Sequence, residues 1–218
     1  NKSPVTIDVA PFTLIGATTH PGDLNGPLLR RFTYKPILMP YSNEQLKEMV
    51  QRACMRIYEN SLPSEVALGI GQLARHNASL AYSLLRNYKE IEAVMSHRAP
   101  EEIFQKTVRL EKLDPWIGLD YTSRRYISML VRKRETTPEG KNIAIGVDTL
   151  ASLMGEQTDT LKYMIEPFLL SDVELPVGRG VLVEVDKRGR KATDLACNYI
   201  QMCRYMQENS GWFVGEVL

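Results

Sequence analysis

Two short stretches of the sequence carry side chains of types that act on phosphate groups. In the first, an apolar run ends in Ala17-Thr18-Thr19, and the pair Arg30-Arg31 follows eleven residues after Thr19, just before an aromatic residue. A hydroxyl at the carboxyl end of a strand can reach a ligand in the crevice of an α/β sheet. An arginine on a loop beyond it can complete a neighbouring phosphate site as an arginine finger. A plain strand with two solvated arginines is the alternative.

The second stretch is a basic turn in the last quarter of the chain. Five cations and only two carboxylates lie between residues 179 and 191. The cations are Arg179, Lys187, Arg188, Arg190 and Lys191. Lysine and arginine on a β-turn suit contacts to the DNA backbone, which hold a protein on DNA without reading its sequence. The alternatives are a solvated turn and a turn that contacts protein.

Other chemical signatures are missing from the printed sequence. It contains no GxxxxGK[ST] phosphate loop, no acid/base pair, no Ser-His-Asp order and no metal-spaced cluster of His and Cys. We therefore expect no metal site and no self-sufficient nucleotide hydrolase. The three cysteines, Cys54, Cys197 and Cys203, form no CxxC pair, which favours a reducing compartment over a disulfide framework.

Size and composition are those of an ordinary globular protein. The chain has 218 residues and a net charge of +1, which suits one large or two small domains and excludes neither nucleic acid nor membrane surfaces as partners. No apolar run reaches the roughly 18 residues of a membrane span. The chain starts Asn-Lys-Ser-Pro, without Met or a signal-peptide core, so we expect a cytoplasmic protein and a piece of a longer chain.

The elements that would position these residues change in kind along the chain. Alternation over residues 5–9 predicts a strand, and the apolar run over residues 12–17 predicts a second one, buried on both faces. Ser42 with Gln45 is a capping-box pattern that begins the first of four helices, which end near Leu110. The first part of the chain is therefore predicted to be the end of an α/β core followed by a helical bundle.

The second half has the element order of a winged helix. A helix is predicted over residues 119–132, a helix-turn-helix over 147–170, a β-ribbon over 177–193 and a last helix to about Glu208. The second helix of the helix-turn-helix offers Asp159, Thr160, Lys162 and Glu166, without the Arg, Asn or Gln that usually read bases. We expect it to recognise backbone or shape, or simply to pack in the core.

These segments together resemble a known family. PFTLIGATT followed by PLLRRF is similar to the middle of RuvB proteins, the Holliday-junction branch-migration motors of the AAA+ class. The likeness continues through ASLAYSLLRN and GVDTLASLMGEQTDTLKYMIEPFLL to KRGRKAT, over about residues 3–196.

The resemblance implies a fold that is mostly α with small β elements. Residual AAA+ core strands, with sensor 1 and the arginine finger, would occupy residues 1–40. A four-helix lid would occupy 41–113, a winged helix 114–200 and a tail 201–218. We expect Trp212 and Phe213 of that tail to pack on the domain or on a neighbouring subunit.

The resemblance also implies roles for single residues. Thr19 stands at the sensor-1 position, which helps orient the water that attacks the γ-phosphate. Arg31 matches the arginine finger that reaches the next subunit's site, with Arg30 as the second candidate. Arg188 and Arg190 match the RGR of the family's wing, which contacts the DNA backbone.

The chain departs from the family pattern in the lid. Where the family has the sensor-2 signature Gly-Thr-Pro-Arg, this sequence has His76-Asn77-Ala78-Ser79. A second departure lies outside the lid: Leu29 stands where the family has the first arginine of the arginine-finger motif. Ser79 cannot make a charge-assisted contact to a nucleotide phosphate. Either Arg75 or Arg86 substitutes, or this protein couples hydrolysis to lid movement poorly.

The resemblance implies an ATP-dependent motor on duplex or four-way junction DNA. The longer protein would use ATP and Mg²⁺ and form a homo-oligomeric ring, expected to be a hexamer, with a junction-recognition partner and no membrane. The family's Walker A and Walker B segments precede the residue that matches Asn1, so no nucleotide is expected on this chain alone. The main alternative is a non-hydrolysing adaptor subunit that binds DNA or protein, and a weaker one is a clamp-loader-type switch.

Overall fold

The computed structural model describes residues 10–19, 21–137, 141–213 and 216. The chain separates into two compact units, Asn1–Met39 and Pro40–Leu218. The described residues are mostly helical, with two small antiparallel sheets, which confirms the predicted fold class. The domain boundaries given above stay predictions, and the strand predicted over residues 5–9 lies outside the described residues.

The first unit is built around a short helix that carries the paired arginines. A 3₁₀ turn, Pro21–Asp23, leads into α1, Gly26–Arg31. Asn25 begins α1, because its side-chain Oδ1 accepts the Leu28 N–H at 2.9 Å and so satisfies one of the free donors at the helix start. Arg30 and Arg31 therefore form the last turn of α1.

The strand predicted over residues 12–17 is wrong. This run is not part of a sheet, and its side chains face solvent: Phe12 is 73% exposed and Ile15 88% exposed. A strand buried on both faces needs flanking strands that pair with its backbone and cover its apolar side chains. The described part of this unit supplies none, so the same apolar residues remain extended and open.

The second unit begins with the four predicted helices. They are α2 (Asn43–Tyr58), α3 (Ser64–Leu73), α4 (Ala78–Val94) and α5 (Pro100–Leu110). The predicted capping box begins α2: Gln45 N donates to Ser42 Oγ at 3.2 Å, and Ser42 N donates to Gln45 Oε1 at 2.9 Å. The helices bury one apolar stripe each in a common core that includes Leu46, Val50, Ile70, Leu84 and Tyr88.

A helix-turn-helix and two hairpins follow. The helices are α6 (Tyr121–Glu135), α7 (Val147–Met154), α8 (Thr158–Thr160), α9 (Glu166–Leu169) and α10 (Asp194–Ser210). The hairpins pair β1 (Val173–Leu175) with β2 (Gly178–Gly180), and β3 (Val183–Asp186) with β4 (Gly189–Ala192). In the described ranges no helix is both long enough and apolar enough to span a membrane.

The second helix of the helix-turn-helix, residues 158–169, is called the recognition helix below. It is not a regular α-helix: a π-helical turn, Leu161–Ile165, separates α8 from α9. Pro167 has no N–H to donate back along the helix, so the ordinary hydrogen-bond ladder is interrupted at this point. The wider turn lies directly before Glu166, whose side chain points into the protein and is buried.

The segment between α5 and α6 is held tightly by buried contacts. The fully buried carboxylate of Asp114 accepts the N–H groups of Trp116 and Ile117, each at 2.8 Å. It also accepts the Tyr199 hydroxyl of α10 at 3.1 Å. Gly118 has φ +70°, and a Cβ there would lie 2.0 Å from the Leu73 carbonyl oxygen. Only glycine fits this close approach between the four-helix bundle and the segment leading into α6.

The tail packs on this same segment, as one of the two expectations for it stated. Trp212 Nε1 donates to the Leu113 carbonyl oxygen at 3.0 Å, with the Arg109 guanidinium 4.5 Å from a Trp212 ring centroid. Glu216 Oε2 accepts from Arg124 Nε at 2.8 Å. The tail therefore supplies both apolar cover and a carboxylate to the junction of α5 and α6.

Candidate nucleic-acid interface

The β3–β4 hairpin, residues 183–192, is called the wing below, and Asp186 holds its turn. Asp186 Oδ1 accepts the backbone N–H of Arg188 at 2.7 Å and that of Gly189 at 3.2 Å. The Lys191 ammonium, 2.5 Å from Oδ2, and then these N–H groups hold the pKa of Asp186 below its usual range. The carboxylate stays charged at neutral pH, so the shape of the tip is maintained.

The wing is also joined to Ile145, which lies two residues before the start of α7. Ile145 N donates to the Arg190 carbonyl oxygen at 2.9 Å, and Arg190 N donates back to the Ile145 oxygen at 2.8 Å. Gly189 makes this approach possible: its φ is +134°, and a Cβ would lie 2.2 Å from the Ile145 oxygen. The hairpin is thus attached to the helical body and not only to its own turn.

The five predicted wing cations occupy three different environments. Lys187 and Arg188 are exposed at the tip and make no ion pair with the residues that the structure describes. Arg179 lies outside the wing, in β2, and pairs with Asp172 at 2.6 Å, while Lys191 pairs with Asp186. Arg190 is almost buried. The tip therefore presents two cations to an external anion.

Arg190 faces inward, away from the tip. Its Nε donates to Glu166 Oε1 at 2.8 Å and its Nη2 to Oε2 at 3.0 Å, a bidentate contact. The Tyr126 hydroxyl of α6 donates to the same Oε1 at 2.9 Å. Burial and then the Glu166 carboxylate raise the pKa of Tyr126, and the hydrogen bonds to Glu166 raise that of Arg190. Both groups therefore remain donors across the usual pH range.

The exposed face of the recognition helix carries one acidic and one basic side chain, so its charges cancel. It carries Asp159, Lys162, Tyr163 and Met164, with 76% of Met164 exposed. As the sequence indicates, this face offers none of the Arg, Asn or Gln side chains that usually read bases, and Glu166, predicted to lie on the polar surface, points inward. The arrangement supports backbone recognition, which stays a prediction.

The lid residues predicted to touch nucleotide are not brought together. Ser79 is exposed at the start of α4, where its N–H donates to Asn77 Oδ1 at 2.8 Å. Arg86 lies two turns further along α4, exposed and 3.9 Å from Glu90. Only Ser79 is therefore placed at the helix start, and it carries no charge.

Arg75 is engaged elsewhere, in a contact that the sequence did not reveal. Its Nη1 donates to Asp120 Oδ2 at 3.0 Å and to Ser123 Oγ at 3.4 Å, both at the start of α6. His76 Nδ1 lies 2.8 Å from the Tyr41 carbonyl oxygen, and its ring is 5.8 Å from that of Phe168. The loop before α4 is thus bound to the start of α6, and His76 lies beside Phe168 of the recognition helix. Arg75 and His76 both have positive φ, 50° and 60°, which is an uncommon backbone conformation for two consecutive residues that are not glycine.

The first unit places its candidate residues at the surface. Thr19, Arg30 and Arg31 are all exposed. Phe32, which ends α1, packs against the backbone of the preceding run: its ring would lie 3.4 Å from a Cβ on Gly16. The chain therefore folds back on itself, and the end of α1 lies beside the run over residues 12–17. The catalytic roles of these residues stay predictions.

Comparison with known proteins shows what the winged helix of the second unit is similar to. Residues 116–201 match the family of RuvB C-terminal winged helix domains. This segment is therefore similar to the winged helix of RuvB proteins. The match covers α6, α7, the recognition helix, both hairpins and the start of α10, which includes every cation of the predicted DNA-binding set.

The resemblance to RuvB extends over most of the chain. The Holliday junction branch migration complex subunit RuvB of Prochlorococcus marinus is 30% identical over 200 residues, 91% of this chain and 52% of that protein. The Staphylococcus aureus RuvB is 32% identical over 196 residues, 88% of this chain and 53% of that protein. This chain thus spans about half the length of the relatives it matches.

Solved structures agree. A mutant of Thermotoga maritima RuvB superposes with a TM-score of 0.73 at 28% identity, over 89% of this chain and 60% of that one. The structure described as the Thermotoga maritima RuvB Holliday junction branch migration motor gives 0.69 at 25% identity, over 83% and 55%. The predicted resemblance to the carboxyl-terminal part of RuvB is confirmed.

Proposed function

We propose that this chain is part of an ATP-dependent DNA motor of the RuvB kind, and that its wing grips the backbone of duplex or four-way junction DNA. The observation that carries the proposal is the wing tip. Lys187 and Arg188 are exposed, lack internal carboxylate partners among the described residues, and stand on a turn held closed by Asp186. Such cations neutralise phosphates and release counterions, which produces salt-dependent binding.

The packing between the four-helix bundle and the winged helix supports a motor. Arg75 reaches Asp120 from the loop that stands where RuvB proteins carry sensor 2, and Gly118 lies against the Leu73 carbonyl. A nucleotide-driven movement of the lid would then be transmitted to the wing. ATP and Mg²⁺ would be held by segments that the printed sequence does not contain, with Thr19 as sensor 1 and Arg31 acting on the site of the next subunit in a hexameric ring.

The DNA proposal is tested by fluorescence anisotropy on a four-way junction, a linear duplex and a single strand across a salt series. We expect duplex-containing DNA to bind better than the single strand. Arg188→Ala should weaken binding and reduce the slope of log K against log salt by about 0.9, the loss of one phosphate contact. Arg56→Ala removes an exposed cation of α2 and should leave the slope unchanged. Equal slopes for wild type and Arg188→Ala would show that Arg188 of the wing tip does not contact a DNA phosphate.

A second function, a non-hydrolysing adaptor, is favoured by the lid. Ser79 is uncharged, and Arg75, one of the two possible substitutes for the sensor-2 arginine, is bound to Asp120. ATPase measurement on a form of the protein that contains the phosphate-binding segments separates the two. A motor would hydrolyse ATP with DNA stimulation, and Arg31→Ala would reduce that turnover by about 10³-fold or more while DNA binding persists. Intact oligomers without turnover would support the adaptor.

A further inference from the structure

Three elements of the winged helix meet at one buried carboxylate. Glu166 of the recognition helix accepts hydrogen bonds from Tyr126 of α6 and from Arg190 of the wing. The side chain of Glu166 is 5% exposed and that of Arg190 13% exposed. Tyr126 is fully buried. The three residues are called the Glu166 anchor below.

The geometry of the anchor conflicts with a bidentate phosphate contact through the Nε edge of Arg190. On its Nε edge, a guanidinium binds a carboxylate or a phosphate through one pair of parallel N–H groups, so only one of the two can be bound there at a time. In Arg190 the pair formed by Nε and Nη2 is already used on Glu166. To bind DNA with this edge, Arg190 would have to leave Glu166 buried without its cation, which is a costly state. The side chain of Arg188, two residues earlier, is exposed and forms no ion pair with the described residues.

The geometry points to Arg190 as a positioning residue: through Glu166 and Tyr126 it fixes the wing to α6 and the recognition helix, so that Arg188 and Lys187 face the DNA backbone. The DNA part of this inference rests on the proposed function, whereas the attachment of the wing does not. The backbone supports the attachment, because Arg190 is also the residue that exchanges two hydrogen bonds with Ile145.

The sign of one substitution separates the two roles of Arg190. Glu166→Gln keeps the shape of the side chain and removes its charge. If Arg190 positions the wing, Glu166→Gln should weaken duplex binding about three- to tenfold, because the anchor loosens. If Arg190 instead contacts phosphate, Glu166→Gln frees it and removes a nearby negative charge, so binding would stay equal or become tighter. That second result would overturn the inference.

A matched control separates the loss of the anchor from the simple loss of one negative charge. Glu184 is exposed on β3 and is outside the anchor, so Glu184→Gln removes the same charge from the wing without touching Arg190. We expect Glu184→Gln to leave DNA affinity unchanged or slightly increase it. Tyr126→Phe deletes a single hydroxyl from the anchor, no charge at all, and should weaken binding in the same direction as Glu166→Gln. It also keeps the test valid if Glu166→Gln does not fold.

A second readout does not depend on DNA. Amide hydrogen exchange at Ile145 and Arg190 reports the attachment of the wing to the helical body. Both amides should exchange faster in Glu166→Gln and Tyr126→Phe than in wild type or Glu184→Gln. Unchanged exchange would overturn the positioning role, whatever the DNA result. Faster exchange in a protein that binds no duplex would support the anchor and reject the proposed function instead.

Discussion

At the scale of single residues, Arg124 is a buried cation that needs partners inside the protein. Its side chain is fully buried, and it donates to Glu216 and to the carbonyl oxygens of Leu119 and Lys112. The Phe213 ring covers the guanidinium at 4.4 Å. A buried cation without a charged partner is strongly unfavourable. The tail therefore contributes to the stability of the junction between α5 and α6.

Glu216→Gln tests this contribution. It should lower the free energy of unfolding by about 3 kcal/mol, because the buried Arg124 loses its carboxylate. Urea denaturation measures the difference, and Glu208→Gln, at an exposed position near the end of α10, is the control with the same loss of charge. If both variants unfold at the same urea concentration as wild type, Arg124 does not depend on the tail.

At the scale of elements, the wing depends on the close approach of Gly189 to Ile145. Gly189→Ala should destabilise the protein for two reasons, a positive φ and a clash of the new methyl with the Ile145 oxygen. Gly211→Ala is the matched control, since Gly211 also has positive φ, +64°, but has nothing within 4 Å of its would-be Cβ. The control should cost about 1–3 kcal/mol, and Gly189→Ala clearly more. Equal thermal unfolding temperatures for the two variants would contradict the tight attachment of the wing.

The same elements show what sequence reasoning could and could not predict. Helix starts such as Ser42–Gln45 were predictable because capping is local, and the winged-helix order followed from the alternation of patterns. The strand over residues 12–17 failed because pairing depends on other segments. The inward turn of Arg190 was not visible, since its partner is 24 residues away and follows a π-helical turn. Arg124 and Glu216, 92 residues apart, were missed for the same reason.

At the scale of the whole second unit, the Arg75–Asp120 contact joins the four-helix bundle to the start of α6, the first helix of the winged helix. Burial opposes the charge of Asp120, but the Arg75 guanidinium and the Ser123 N–H outweigh it and lower the pKa of Asp120 below its ordinary 3.8. A lowered pKa in the folded state means that the contact stabilises the fold above the unfolded pKa. That stabilisation is lost as the pH falls through the folded pKa.

Asp120→Asn tests this pH dependence without removing the helix cap, because asparagine also caps helices well. The variant should be less stable than wild type at pH 7. The difference should shrink as the pH is lowered below 3.8, where wild-type Asp120 takes up its proton. Urea unfolding of both proteins between pH 2 and pH 7 provides the measurement. A difference that stays constant over this whole range would show that the charge of Asp120 is not what matters.

Contact between the wing tip and duplex DNA can be tested by site-specific photo-crosslinking. A benzophenone amino acid in place of Lys187 places the probe at the tip and leaves Arg188 intact, and the same probe in place of Lys106, exposed on α5, is the control. We expect efficient crosslinking to linear duplex and to a four-way junction from position 187, independent of base sequence and reduced by salt, with little from position 106. Equal yields from the two positions, or none from position 187 under conditions where the protein binds DNA, would contradict it.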